Sequence, residues 1–401
     1  MGSGGVLDLG YCTNIHPANG WGEVLGSLRA HAPALKARLR PAGPFGIGLR
    51  LSGAESRELL AGDRLARFRE FLAAEDLYVF TINGFPHGSF HGDPVKADVH
   101  APDWRTDERV AYTLRLVEIL AALVPAGGEG SISTSPLSYA GWVRSDDVGA
   151  WERFADNLAG VAEALVRLRR ERGILLHLDI EPEADGLLAD CADLERFYRR
   201  WLLGRGAQAL AAALGCPRGE ACEHLLEHVR ACFDACHAAV AYEEPGEALD
   251  RLQAAGIRVG KVQLSSALRV ALEEAPADRA ATERALRAFA DSTYLHQVAQ
   301  RNRDGSLVHY PDLPEALARI QDPRAEEWRI HFHVPIFVDR YAGFRSTQDE
   351  LRRTLELVRE RRVARHLEIE TYTWDVLPAD LKAELVDSIG REYAWVLDVL
   401  G

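Results

Sequence analysis

Acids and imidazoles stand at the ends of runs that read as β-strands, and that placement makes them candidates for chemistry. Glu181 closes ILLHLDIE, with Pro182 and Glu183 behind it, and Asp234 closes VRACFD, with His237 three residues on. His331 and His333 alternate along RIHFHVPIF, and Glu368 and Glu370 along HLEIETYTW, so each pair shares one face of its strand. Gln263 comes late in RVGKVQLS, His16 follows the first run, and His87 and His91 follow the third in NGFPHGSFHGD. Two carboxylates about 4 Å apart repel by ~4 kcal/mol at an effective dielectric of ~20. If Glu181, Asp234 and Glu370 converge, protonation or a divalent cation must answer that repulsion. An imidazole from His333 completes a set of three carboxylates and one histidine. Such a set suits Mn, Mg or Co better than a structural zinc.

Each residue also has an ordinary reading. Glu181 fits the first turn of a helix, where acids are favoured. The D-x-x-H spacing of Asp234 and His237 arises at many helix starts. His331 fits a packed or outward-facing histidine, and His16, His87 and His91 fit solvated loops. Trp21 and Trp374 are candidates for the pocket wall, with core packing as the favoured reading of both. What favours a shared site is recurrence, since four acidic or imidazole groups stand at four different strand ends.

The elements that must position these groups alternate along the chain. Strand-like runs occupy 6–15, 45–51, 77–83, 131–137, 174–181, 229–234, 258–265, 329–337 and 366–374. Between them lie segments with apolar residues every three or four positions. Examples are Trp151, Phe154, Leu158, Val161, Leu165 and Leu168, and later Leu351, Leu355 and Val358. The alternation predicts a parallel sheet with helices outside it, an α/β fold of the (β/α)8 TIM-barrel kind. In such folds chemistry gathers at the carboxyl ends of the strands. Nine runs compete for eight places, so one belongs to an excursion. We place it near 266–328, where Asp304-Gly305 fits the turn of a hairpin near the mouth of the site. No Pro/Gly/Ser-rich linker divides the 401 residues, and one barrel domain over 1–401 is expected.

Composition narrows the partners. Hydrophobic residues make up 47%, enough for a large core. The formal charge is −13, from 47 Lys+Arg against 60 Asp+Glu, which argues against nucleic acid. The basic block at Arg167, Arg169, Arg170 and Arg172 reads as the solvated face of a helix. No apolar run reaches the ~20 residues needed to span a bilayer, and the first residues carry no signal-peptide pattern. A cytoplasmic protein is expected, with its six cysteines reduced. Cys216, Cys222, Cys232 and Cys236 are spaced C-x5-C and C-x3-C, which do not match a C-x2-C zinc ribbon, and they read as thiols in or beside helices.

At the strand ends the chain resembles the xylose isomerase-like barrel superfamily of sugar isomerases, keto-sugar 3-epimerases, inosose dehydratases and endonuclease IV-type repair enzymes. ILLHLDIEPE resembles the strand that ends in the first metal-binding glutamate, which implies that role for Glu181. ACFDACHAA resembles the family's L-D-T-x-H stretch, implying Asp234 as a ligand and His237 as a substrate contact or second-metal ligand. HFHVPIF resembles the strand of the ligand histidine, implying His333, and HLEIETYTW the last strand, implying Glu370. RVGKVQLS competes with HFHVPIF for the histidine strand, and would put Gln263 there instead. More narrowly, YCTNIHP, LDIEPE, DACHAAVAYEEP, KVQLSSAL, HFHVPIF and LEIETYTWDVLP together resemble the EboE-type "metabolite traffic" family of ebo gene clusters, which implies a role in making or handling a small secondary metabolite.

The leading expectation is a metal-dependent isomerase or epimerase of a sugar, cyclitol or related polyol. Glu181 and Glu370 would exchange a carbon-bound proton, and His237 would bind a substrate oxygen. The cofactor would be a divalent ion, Mn, Mg, Co or Zn. A second expectation is a zinc hydrolase of a small phosphate ester, of the endonuclease IV kind, with His331, His16, His87 and His91 as further ligands. A third is a carrier or scaffold that has kept the barrel without turnover. The expected partner is a small sugar-like molecule rather than nucleic acid or membrane, and self-association is left open.

Overall fold

The computed structural model describes residues 7–16, 18–41, 43–88, 96–273, 275–289, 296–341, 343–371 and 384–401. His91 and Trp374 lie outside the described residues. Seven short strands open the chain: β1 (Asp8–Tyr11), β2 (Phe45–Arg50), β3 (Leu77–Asn83), β4 (Glu129–Thr134), β5 (Leu175–Ile180), β6 (Val229–Asp234) and β7 (Val259–Leu264). Six more follow in one stretch: β8 (Leu268–Ala271), β9 (Val298–Asn302), β10 (Leu307–Tyr310), β11 (Ala325–Ile330), β12 (Arg340–Tyr341) and β13 (Phe344–Ser346). The last is β14 (His366–Ile369). Strands β1–β7 and β14 form one parallel sheet in the order β1-β14-β7-β6-β5-β4-β3-β2. An isolated parallel bridge between Cys12 and Gly48 joins its two end strands. This is the expected (β/α)8 barrel.

The helix Val148–Arg172 shows why the intervening segments fold as they do. Asp147 caps its first turn by accepting from the Ala150 N–H at 3.0 Å, and Gly173 ends it in the left-handed region at φ 68°. Phe154, Leu158, Val161 and Leu165 are buried along one stripe. The basic block lies on the other face, where Arg167 pairs with Glu163, Arg169 with Glu227 and Arg170 with Glu220. These arginines are a solvated, salt-bridged surface, as read.

The excursion is larger than the sequence suggested. Strands β8–β13 make an antiparallel sheet in the order β10-β9-β11-β8-β13-β12, inserted after β7 and before the helix Gln348–Arg361. It has its own core around Leu268, Leu313, Trp328, Ile330 and Tyr341. Asp304-Gly305 does turn the β9–β10 hairpin, with Gly305 at φ +83°. The run 329–337 is therefore not a barrel strand. Its first two residues end β11, where Ile330 pairs with Leu268, and pairing stops before Pro335, which has no N–H to offer. The insertion thus emerges at the carboxyl end of β7, over the face where active sites sit in this fold. All six cysteines are free; Cys232 lies within β6 rather than at a helix.

The barrel axis is unusual in being polar. Small barrels are commonly filled by layers of branched apolar side chains. Here Ser131, Ser133, His177, Lys261, His366 and Glu368 meet across the ring, all fully buried. Lys261 Nζ on β7 reaches Ser133 on β4 at 3.0 Å and Glu368 on β14 at 2.8 Å. His366 Nδ1 on β14 meets Ser131 on β4 at 2.9 Å, and its ring stacks on His177 of β5 at 5.6 Å. Glycines on β2 make room for this filling. A Cβ on Gly48 would overlap the Glu368 carboxylate, which its pairing with Lys261 prevents from moving aside. We expect Gly48→Ala to destabilise the fold by about 1–3 kcal/mol, read as a lower urea midpoint; an unchanged midpoint would sink this account of the axis.

Candidate metal centre

Three strand ends bring three carboxylates together. Glu181 directly follows β5, Asp234 is the last residue of β6 and Glu370 directly follows β14. One carboxylate oxygen from each lies within 4.8 Å of the others, and all three residues are buried. Glu181 therefore leaves a strand rather than opening a helix; the next helix begins at Cys191, capped by Asp190. Asp234 does cap a helix, Ala235–Val240, by accepting from the His237 N–H at 2.9 Å. The D-x-x-H spacing thus serves the cap and aims His237 at the same site. Asp234 Oδ1 also accepts from the Ser265 hydroxyl at 2.7 Å, which leaves Oδ2 without a hydrogen-bond partner among the described residues. Glu181 Oε2 is in the same condition. Glu370 Oε1 accepts from Asn14 at 2.7 Å and Asn83 at 3.1 Å.

The histidines gather beside the carboxylates. Asp234, His237 and His333 form a second triad of donor groups within 4.8 Å, Glu183, His237 and His331 a third, and Cys236, His331 and His333 a fourth. His333 thus lies beside Asp234, and it arrives from the insertion. The barrel strand in that position, β7, carries Gln263 as its last residue but one, with its Cα in register with both Asp234 and Glu368. Gln263 lies two residues beyond Lys261 and so faces the axis as well. It is fully buried, and neither its Oε1 nor its Nε2 has a hydrogen-bond partner among the described residues.

The electrostatics answer the repulsion that the sequence implied. Burial, followed by the nearby charge of Asp234, pushes the Glu181 carboxyl up to about 7, against the opposing pull of His237 and Lys261. Burial also raises Glu183 to about 7. Glu370 lies well above the usual carboxylate range through burial and the charges of Glu181 and Asp234. Asp234 goes the other way: burial opposes its charge, but His237, His333 and two hydrogen bonds hold it low. Without a cation the cluster keeps protons. Those protons and the bare oxygens are what a divalent ion would displace and satisfy. The donor set fits such an ion.

The remaining candidates lie elsewhere. His16 meets the Tyr11 hydroxyl at 3.1 Å and stacks on His31 at 4.5 Å. His87 packs edge-on against Tyr112 at 4.8 Å, and burial lowers it to about 4. Neither enters a donor triad among the described residues. Trp21 is core, packed edge-on against Phe68. Attention to acids and imidazoles passed over Asn14, Asn83, Cys236 and Lys261 as contributors to this site, and noted Glu183 without giving it a part. Asn83 was detectable by the same rule, since it ends LYVFTIN.

No family model matches the chain, and no curated protein does. Among solved structures the chain is similar to a xylose isomerase-like TIM barrel protein from Mycobacterium smegmatis in complex with magnesium, at 11% identity over 98% of this chain and 96% of that one, with a TM-score of 0.48. It is similar to the probable 3-DHS dehydratase AsbF, involved in petrobactin synthesis, from Bacillus anthracis, at 9% identity over 98% and 99%, with a TM-score of 0.45. It is also similar to an IolI protein with a bound zinc atom, at 11% identity over 98% of both chains, with a TM-score of 0.42. At such identities the chemistry of the site is read from its own residues.

Two buried groups support the site from behind. Lys261→Met leaves the fully buried Glu368 uncompensated and is expected to cost about 3–5 kcal/mol in unfolding free energy, whereas Lys261→Met with Glu368→Leu recovers most of that loss. Equal stability of the single and double variants would contradict this. Glu392 accepts from Thr371, next to Glu370, at 2.7 Å and from the Ile336 N–H at 3.3 Å, and burial pushes it to about 8 from 4.5. The folded chain therefore holds a proton that the unfolded chain releases above 4.5. This group's contribution is full below pH 4.5 and is lost as pH rises towards 8, at up to about 1.4 kcal/mol per pH unit. Denaturant titrations across that window should show a shallower decline in Glu392→Gln than in the parent; parallel curves would refute the assignment.

Proposed function

We propose that this chain is a metal-dependent enzyme that isomerises or epimerises a small polyhydroxylated substrate, with Glu181, Asp234 and Glu370 holding a divalent cation. The observation that carries the reading is the convergence of these three carboxylates from three strand ends, with bare oxygens on Glu181 and Asp234. A cation in that place would supply a Lewis acid for a substrate carbonyl and its neighbouring hydroxyl. The chain's own groups supply the proton chemistry. Glu181 and Glu370 reach the cluster from two different strand ends, which suits a carbon-bound proton removed by one and returned by the other. His237 Nδ1 meets the Pro182 carbonyl oxygen at 3.1 Å, an atom that only accepts, so its Nε2 is turned to bind a substrate oxygen. Asn14 and Asn83 fix the Glu370 carboxylate, and Ser265 fixes Asp234. The resemblance of YCTNIHP, LDIEPE and HFHVPIF to the EboE-type family supports a place in small secondary-metabolite chemistry, within one barrel domain.

Calorimetric titration with manganese and turnover on a panel of sugars and cyclitols test this together. Glu181→Gln and Glu370→Gln should each weaken manganese binding by about tenfold or more and abolish turnover. The metal-free variants should unfold no earlier than the parent, because each change removes a buried acid that repels its neighbours. Parental manganese affinity in both variants would rule out the assignment.

A further inference from the structure

The arrangement around the insertion points to a second cation site of different character, and it does not depend on the carboxylate site being catalytic. His331 and His333 flank Phe332, whose ring packs into the insertion's core against Phe289 and His296. Both imidazoles thereby turn towards the barrel mouth, and their Nε2 atoms face each other at 3.1 Å. The hydrogen bonds of the opposite nitrogens set the tautomers. His333 Nδ1 meets the Glu370 backbone carbonyl at 2.9 Å, an atom that can only accept, so this nitrogen carries the hydrogen. His331 Nδ1 meets Gln297 Oε1 at 2.7 Å. The orientation of that amide is set by its Nε2, which donates to the Ala184 carbonyl at 3.2 Å and Glu183 at 3.5 Å. With both Nδ1 hydrogens committed, two neutral rings present two lone pairs to each other. A proton between them would create a cation in a pocket that excludes water. A metal ion draws on both lone pairs instead: two nitrogens each about 2.0–2.1 Å from a tetrahedral zinc lie roughly 3.3 Å apart.

The third donor comes from the barrel. Cys236, fully buried in the helix after β6, forms a triad with these two histidines within 4.8 Å, and its Sγ donates to the Phe332 carbonyl oxygen at 3.5 Å. We propose that His331, His333 and Cys236 form a nitrogen- and sulfur-rich site for a zinc-class ion, which displaces the Cys236 thiol proton to solvent on binding and fastens the insertion to the barrel beside the oxygen-rich triad. Tying each Nδ1 to a carbonyl oxygen is the second-shell arrangement that orients histidine ligands. The two neighbouring donor sets differ in softness, so they would sort a zinc-class ion from a hard ion such as manganese or magnesium.

Cobalt(II) reports on this site directly, because a thiolate ligand adds a near-ultraviolet charge-transfer band. Metal-free protein titrated with cobalt should develop that band and take up two ions per chain. Cys236→Ser should lose the band, and His331→Gln should lose both the band and one equivalent of cobalt. Glu370→Gln should keep the band while losing the other equivalent, which separates failure of this site from failure of the carboxylate site. X-ray absorption of the parent protein carrying one equivalent of zinc needs no variant, and should show a sulfur at about 2.3 Å beside nitrogen ligands. A parent protein without the charge-transfer band, a band that survives in Cys236→Ser, or a zinc shell without sulfur would overturn the proposal. The last result would move His331 into the Glu183–His237 set instead.

Discussion

Charge compensation along a water-excluding axis governs this barrel. An ammonium, several carboxylates and several imidazoles share a space that comparable barrels fill with aliphatic side chains. Each charge there is tolerable only because another lies within hydrogen-bonding reach. Lys261 and Glu368 carry most of that burden, at 2.8 Å and with no solvent exposure. The pair also sets the conditions one layer higher, since Lys261 is among the groups that restrain proton uptake by Glu181 and Glu370. The site at the mouth is thus the outer end of a longer buried electrostatic column, and its carboxylates inherit their behaviour partly from below.

That column explains which parts of the molecule were legible in the sequence. Parallel strands buried on both faces read as short apolar runs between amphipathic helices, and eight of the nine runs took their places in the ring. The ninth failed for a physical reason. Alternation along RIHFHVPIF describes any half-buried strand, and it does not say whether the neighbours are parallel or antiparallel. Register with Leu268 decides that, and register is set by a partner 62 residues away, from 268 to 330. The carboxylates were legible because acids are rare at the ends of apolar strands. Gln263 and His333 could not be ranked, because which of them stands on the barrel depends on where the insertion begins and ends. His177 and Lys261 were hidden for a related reason: a polar residue inside an apolar run looks like an error until its partner across the ring is known.

The insertion changes what the mouth can be. In a plain barrel every functional group is supplied by a loop directly after a strand. Here two imidazoles come from a separately cored sheet, and the barrel answers with Cys236, His237 and Asp234 from a single strand end and the helix it starts. The two bodies therefore meet through buried polar groups as well as through packing. The small apolar cluster of Cys236, Val240, Ala267 and Ala299 lies at the same junction and holds it in register.

The order of strands has a consequence for how the chain reaches this state during synthesis. Strand β14 sits between β1 and β7, yet it is synthesised only after the whole insertion. Until then β1 and β7 each present an unpaired edge, and such edges recruit other strands. A nascent chain stalled before residue 366 carries a nearly complete barrel with an open slot, together with an inserted sheet able to fold early on its own core. Helper proteins that shield unpaired edges would matter most in that interval, and completion of the ring would coincide with arrival of the last carboxylate, Glu370.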